Sequence, residues 1–326
     1  MEERVAQKTM LAVSQDRLGP PEVLHMVSVP RPEPGGTEVL VRVLAAGVNP
    51  VDWKTRATGG RLGPPPFILG WDVAGEVAAV GPGVTRFAVG DRVFGMPWFP
   101  RQAGAYAEYL TCPSRQLAAT PASLDNAQAA GLPLAGLIAR QSLIDTAAIK
   151  ANDRVLIQAA AGGVGNLAVQ IAKQVGAYVI GTGGPDDQAF LTELGVDEPI
   201  DYTKADFADE VTNVDVVLDL VGGPVSMASL PVLRDGGLLI TVPSSTDIEP
   251  LRTTAAGRVR VTGILVEPDR TGMDAIAAFA AEGRLHQRIA RTFPLDQAAY
   301  AHQLGESGHV GGKMILAPEP RRMVQK

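Results

Sequence analysis

The stretch Asp153–Thr182, DRVLIQAAAGGVGNLAVQIAKQVGAYVIGT, decides how the rest of the chain is read. Arg154 to Gln158 is an apolar run with β-branched residues, of the length and composition of a buried parallel strand. It leads into Ala159-Ala160-Ala161-Gly162-Gly163-Val164-Gly165. Apolar residues then recur at Leu167, Val169, Ile171, Ala172 and Val175, as on one face of a helix that stops near Gly176. Tyr178 to Gly181 is a second apolar run and completes a strand–helix–strand crossover. In the turn, Gly162 and Gly163 let the backbone approach a ligand, and Gly165 lets the helix pack on its strand. The first amides and the positive dipole end of that helix suit a pyrophosphate. Ala160 stands where the usual fingerprint has its first glycine. A tight turn with no ligand is the competing reading; flanking elements of these lengths favour a dinucleotide site.

Composition bounds the rest. At 326 residues the chain is long enough for two domains, and 46% hydrophobic against 20% charged residues describes a globular protein. A net charge of −6 with no basic stripe argues against a nucleic-acid surface. The single cysteine, Cys112, excludes an intramolecular disulfide and a four-thiolate zinc lobe, and reads as a packing residue. The start, MEERVAQKTM, lacks the apolar core of a signal peptide, and no apolar run approaches the ~20 residues that span a bilayer. The expectation is a soluble, cytoplasmic protein with no membrane partner.

Outward from the central stretch, two patterns divide the chain. Residues 1–124 read as short strands (Thr9–Val13, Val39–Ala45, Ala74–Val80, Asp91–Phe94) between turns rich in glycine and proline, which suggests a barrel-like, mostly β domain. Residues 125–267 alternate helices with parallel-type strands. Helices are expected at Asp125–Ala130, Gly131–Thr146, Asp186–Leu194, Ala205–Thr212 and Pro224–Leu233. Strands are expected at Ile200–Tyr202, Val214–Val221, Gly237–Val242 and Val259–Val266. This is the α/β pattern of an open, doubly wound parallel sheet that binds ligand at the carboxyl ends of its strands. Residues 268–326 (helix Met273–Glu282, strand Ile289–Phe293, helix Asp296–Glu306, strand Lys313–Leu316) read as a segment returning to fill an open edge of the first domain.

The chain resembles the medium-chain dehydrogenase/reductase superfamily, in its zinc-free quinone oxidoreductase and enone reductase branch. The resemblance runs nearly end to end. It rests on Gly47-Val48-Asn49-Pro50-Val51-Asp52, Gly70-Trp71-Asp72-Val73-Ala74-Gly75, Val89-Gly90-Asp91-Arg92-Val93, Leu132-Pro133-Leu134-Ala135-Gly136, the AAAGGVG turn and Gly312-Lys313-Met314-Ile315-Leu316. It implies a Rossmann-type nucleotide domain and a GroES-like catalytic domain forming a cleft. Zinc-dependent relatives carry a cysteine where Asn49-Pro50 stand and a His-Glu pair where Trp71-Asp72 stand. The histidines His25, His286, His302 and His309 are scattered, and no catalytic metal is expected. A carbonyl must then be polarised by hydrogen-bond donors, which favours hydride addition to a conjugated double bond, whose charge spreads as an enolate.

By the same resemblance, Asn49 lies beside the nicotinamide. Lys54 replaces a common tyrosine and is either a donor to the substrate oxygen or a solvated surface cation. Asp52 either caps the Trp53–Ala57 turn or takes part in chemistry. Trp71, Trp98 and Phe99 are expected as apolar walls of a substrate pocket, with Tyr106 more readily a core residue. Relatives place Thr-Ala-aromatic after the Pro-Leu-Ala-Gly segment; here Ile138-Ala139-Arg140 stands, so a hydroxyl is lost and Arg140 is left as a candidate for a substrate anion.

Cofactor contacts are expected from Ala160, Gly162, Gly163, Val164 and Gly165 at the turn, from Thr182 and Gly183 at the second strand's end, and from Tyr202. Others are expected from Val221, Val242, Pro243 and Leu265 at later strand ends, and from Lys313. No acid stands at the end of the second strand to hold an unphosphorylated ribose, which favours NADP(H). Tyr202 matches a family tyrosine on the 2′-phosphate. Against this, Gln188 replaces the family's phosphate-binding lysine beside Asp186 and Asp187. The expected activity is NADPH-dependent reduction of a small-molecule quinone or enone, and the family resemblance alone implies a homodimer joined through the edge strand near Val259–Val266. A tailoring enoyl reductase with a narrow substrate, or a dinucleotide-binding protein that has lost catalysis, stays open beside it.

Overall fold

The computed structural model describes residues 8–308 and 310–318; the start of the chain, His309 and the tail from Glu319 lie outside the described residues. Two compact units divide it. One comprises Met1–Leu134, Glu267–Gly283 and Ile289–Lys326, and the other comprises Ala135–Val266 with Arg284–Arg288.

The second unit is built on a parallel six-stranded sheet. Its strand order is Glu198–Asp201, Tyr178–Gly183, Arg154–Ile157, Val214–Asp219, Leu233–Thr241, Arg260–Gly263. The order reverses beside the central strand, and that reversal is where a doubly wound sheet opens a ligand crevice. Val155, Leu156, Ile157, Val217, Leu218, Leu239 and Ile240 are buried, as strands covered on both faces require. Arg260–Gly263 forms one edge.

The first unit holds a seven-stranded sheet. Its order is Ile289–Pro294, Lys313–Ala317, Glu38–Val48, Asp72–Val80, Arg92–Gly95, Leu117–Ala119, with Tyr109–Pro113 also paired to Glu38–Val48. A smaller sheet joins His25–Pro30, Thr9–Gln15 and Phe67–Ile68. The returning strand fills an edge: Met314 lies opposite Val48 and Leu316 opposite Ala46. The apolar faces meet in a core that includes Val41, Val73, Val93, Tyr106, Phe293 and Leu316.

Several elements differ from their sequence reading. Gly131–Thr146 is not one helix: Asn126–Gly131 ends just before Pro133, Pro133–Arg140 follows, and Gln141–Thr146 widens into a π-helix. Proline favours a fresh first turn, which sets that break. The expected helix Pro224–Leu233 ends at Ala228, and Leu233 already belongs to the next strand, which carries a register shift opposite Val214–Val216. The helix Pro50–Thr58 is longer than the turn expected from Trp53.

Candidate functional site

In the first unit, strand register assembles a buried polar centre. Gly47 lies opposite Asp72 on one side, and Val48 lies opposite Met314 on the other. Asn49, Asp72 and Lys313 are thereby brought together from distant parts of the chain. The Lys313 ammonium donates to Asn49 Oδ1 at 2.5 Å and to Asp72 Oδ2 at 2.9 Å, and Asn49 Nδ2 donates to the same Asp72 oxygen at 2.9 Å. The other carboxylate oxygen of Asp72 accepts the Leu134 amide at 2.7 Å. All three side chains are buried. Removing such charges from water is tolerable only when they are paired and hydrogen-bonded, as here.

Asn49 also precedes the helix Pro50–Thr58. Its backbone N–H donates to Asp52 Oδ2 at 2.7 Å, so Asp52 does the capping and the Asn49 amide is left to Lys313 and Asp72. Asp52 is fully buried, and burial, with the Asp72 charge adding to it, raises its carboxyl to about 7. Its Oδ1 has no close hydrogen-bond partner, and the Tyr106 hydroxyl, acting on the carboxyl, offsets part of that rise.

Beyond Tyr106 the polar residues continue. Arg56 donates to His302 Nδ1 (3.3 Å) and to Glu306 (2.7 Å), and His302 Nε2 lies 3.1 Å from the Tyr106 oxygen. Burial first, and the Arg56 charge second, lower His302 to about 3, so its ring is neutral. Arginine can only donate, so Nδ1 accepts and the single ring proton sits on Nε2, donating to Tyr106. The Tyr106 hydroxyl is thus left to donate toward Asp52. Sequence reasoning had His302 only among the scattered histidines and Tyr106 more readily as a core residue than as a pocket wall, and missed Arg56; no local pattern marks their meeting, because |i−j| is 246 between Arg56 and His302.

Lys54 is exposed on the helix that follows Asn49. Trp71 is 2% exposed, meets Phe99 edge-on with ring centres 5.3 Å apart, and donates its indole N–H to the Arg101 carbonyl at 2.6 Å. Trp98 is half-buried and donates to the Thr111 carbonyl at 2.9 Å. Arg140, in the second unit, is bound by both carboxylate oxygens of Asp145 at 2.9 and 2.6 Å, so its charge is already answered.

In the second unit, Ala159–Val164 makes the expected turn before the helix Gly165–Val175. A Cβ on Gly165 would stand 2.2 Å from the Ala159 carbonyl oxygen, so only glycine lets helix and strand pack this closely. A Cβ on Gly163 would meet only Gln287 Nε2, at 3.7 Å. Among the described residues the amides of Gly163 and Val164 have no hydrogen-bond acceptor. Open space above unpaired amides at a helix N-terminus fits a dinucleotide diphosphate. The Thr182 hydroxyl is spent within the turn: it accepts from the Ala159 amide (3.1 Å) and donates to Gln158 Oε1 (2.7 Å).

At the end of strand Tyr178–Gly183, Asp187 accepts the Gly184 amide at 3.3 Å, and Gln188 Nε2 donates to the carbonyls of Gly183 (3.3 Å) and Gly184 (3.0 Å). Tyr202 is exposed, with its hydroxyl 3.2 Å from where a Gly184 Cβ would stand. The segment Arg284–Arg288, which sequence reasoning did not single out, runs along the turn helix. Gln170 bonds both the N–H and C=O of His286 (2.8 and 2.9 Å), and Gln287 Nε2 donates to the Gly163 carbonyl at 3.2 Å. Arg288 follows, with its guanidinium 4.6 Å from the Phe190 ring centre. Val221 and Leu265 are exposed at strand ends, and Val242 and Pro243 are half-buried. Asp219 sets the loop after its strand by accepting the amides of Val221 (2.9 Å) and Gly222 (2.8 Å) and the Ser226 hydroxyl (2.5 Å).

Comparison with known proteins agrees with this layout. An alcohol dehydrogenase GroES-like domain model matches residues 35–122, and a zinc-binding dehydrogenase model matches residues 194–316. A 2-haloacrylate reductase from Burkholderia sp. is 35% identical, with 95% of this chain and 99% of that protein covered. The quinone oxidoreductase structure from Coxiella burnetii superposes with a TM-score of 0.91 at 38% identity, covering 96% of this chain and 100% of that one. The Escherichia coli quinone oxidoreductase, solved in complex with NADPH, superposes with a TM-score of 0.85 at 30% identity, covering 94% and 100%.

The zinc in one model's description does not fit the residues present. Asp72 already holds the Lys313 ammonium, its neighbour Asn49 is a poor zinc ligand, and among the described residues no group of three His, Cys, Asp or Glu converges. With nearly full-length relatives of this kind, and the strand order and glycine turn already seen, the chain belongs to the medium-chain dehydrogenase/reductase superfamily, with quinone oxidoreductases among its relatives.

Proposed function

We propose that this protein is an NADPH-dependent, zinc-independent reductase of quinones and α,β-unsaturated carbonyl compounds. The observation that carries this reading is the Lys313 ammonium seated on Asp72 and Asn49, a fixed organic cation where zinc-dependent relatives would gather metal ligands. Reduced nicotinamide, when bound, supplies a hydride that adds to the β-carbon of an enone or to a quinone, and is oxidised as the substrate is reduced.

The chain's own residues do the rest. Gly163 and Val164 amides at the helix N-terminus hold the diphosphate. Arg288 answers the 2′-phosphate in place of the lysine that Gln188 replaces, and Tyr202 lies over the same loop. Lys313 holds the Asn49 amide in one orientation toward the nicotinamide. Lys54 donates to the substrate oxygen as charge accumulates there, and solvent returns the proton at the α-carbon. Two copies pair through the edge strand Arg260–Gly263.

The test is NADPH oxidation, followed by absorbance, against a panel of simple quinones and enones. Turnover above the uncatalysed rate is expected. NADPH binding with no turnover across the panel would leave only a dinucleotide-binding protein.

A further inference from the structure

The first unit carries a cavity of about 300 Å³ between the loop after the helix Pro50–Thr58 and the loop around Arg101. Leu62, Phe67 and prolines of the first loop supply an apolar wall. Arg61, Arg101 and Gln102 supply the polar side. Both arginines are exposed, and among the described residues neither has an acidic partner. No carboxylate lines the cavity. In a chain of net charge −6, two unpaired guanidiniums in one pocket form a local positive field against the sign of the whole.

Both walls are fastened to the polar centre. The Arg101 carbonyl accepts the indole N–H of Trp71, the residue before Asp72. The amides of Leu62 and Gly63 donate to the Gly59 carbonyl at the end of the helix that Asn49 begins. Guanidinium groups match oxyanions with paired, directional donors, and a neighbouring amide adds another. An apolar wall opposite suits the carbon skeleton that carries the charge.

We propose that this cavity is an anion-binding subsite and that the substrate is an unsaturated carbonyl compound bearing an oxyanion, held by Arg61 and Arg101. This rests on the reductase reading above and names its substrate class. The charge is either a carboxylate on a small substrate or a phosphate on a thioester carrier; the chemistry of recognition is the same.

The experiment compares β-acetylacrylic acid with its methyl ester, and crotonyl-coenzyme A with the matching N-acetylcysteamine thioester. Binding is measured calorimetrically with oxidised cofactor present, and kcat/KM is measured with NADPH. At least one anionic member should bind about tenfold or more tightly than its neutral partner, as expected when charge-assisted hydrogen bonds are made. The variant Arg61→Ala/Arg101→Ala should bring that ratio close to unity. Preference in the first pair assigns a carboxylate, and preference in the second assigns a phosphate. Equal binding in both pairs, or a preference that survives the double variant, overturns the subsite. Ester reduction without any anion preference removes the subsite and leaves the reductase. Tight, arginine-dependent binding of the anion with no reduction of any compound keeps the subsite and removes the reductase reading.

Discussion

The Lys313 ammonium lies 2.9 Å from a carboxylate oxygen of Asp72, with side-chain exposures of 4% and 0%. A pair this dry contributes little net stability, because desolvation offsets most of the attraction, yet breaking it strands a buried charge. Its evident product is placement, since the same ammonium fixes Asn49 Oδ1. Lys313→Met should lower the unfolding free energy by about 3–5 kcal/mol, read as an earlier urea midpoint. Lys313→Met/Asp72→Asn should recover part of the loss because no lone charge remains. A single variant as stable as the parent would mean that burying Asp72 does not depend on its contact with Lys313.

Asp52 and His302 make opposite demands on pH. Asp52 is raised to about 7, so its contribution to stability is complete below its unfolded value and is lost as pH rises toward 7. His302 is lowered to about 3, so the unfolded chain takes up its proton first and stability is lost as pH falls below the ordinary histidine range. Between the carboxylate and histidine ranges the two slopes cancel. Asp52→Asn removes one of them, and its stability relative to the parent should rise with pH by about 1.4 kcal/mol per unit across that window. Urea titrations at a series of pH values measure this, and a flat difference would show that Asp52 is not perturbed.

Cofactor choice turns on the loop after Gly183. Asp187 and Gln188 are both turned inward onto Gly183 and Gly184, and Arg288 packs against Phe190 of the helix that starts at Gln188. Arg288→Ala should weaken NADPH about tenfold while changing NADH little, as losing a charge-assisted phosphate contact predicts. Gln188→Lys should widen the preference of the parent. Fluorescence titration with both nucleotides decides it, and equal affinities in the parent would remove the NADP assignment.

Lys54 is the exposed cation that follows Asn49 on its helix. If it donates to the developing enolate, Lys54→Met should cut kcat about a hundredfold with NADPH affinity retained. An unchanged kcat would return Lys54 to the solvated surface.

What could be read from sequence was local. The turn at Gly162–Gly165 follows from spacing within one strand–helix–strand unit, and the returning strand Lys313–Ala317 follows from the need to fill an edge. Asn49 and Lys313 were both expected near the cofactor, but not in contact. Their meeting with Asp72 depends on two strand registers, with |i−j| of 23, 241 and 264, which no window of sequence contains. The same holds for Arg56, Tyr106 and His302. Gln287 and Arg288 escaped notice because their partners, Gly163 and Phe190, lie in elements remote in sequence. Helix lengths failed where a proline or a strand overrode a continuous apolar pattern, at Pro133 and at Leu233.

The most direct test of metal-free hydride transfer uses NADPH deuterated at its transferable position, an enone, and protein dialysed against a strong chelator. Retained turnover is predicted, with deuterium at the β-carbon of the product and solvent hydrogen at the α-carbon. Activity that disappears on chelation and returns with zinc, or product without deuterium at the β-carbon, would contradict it.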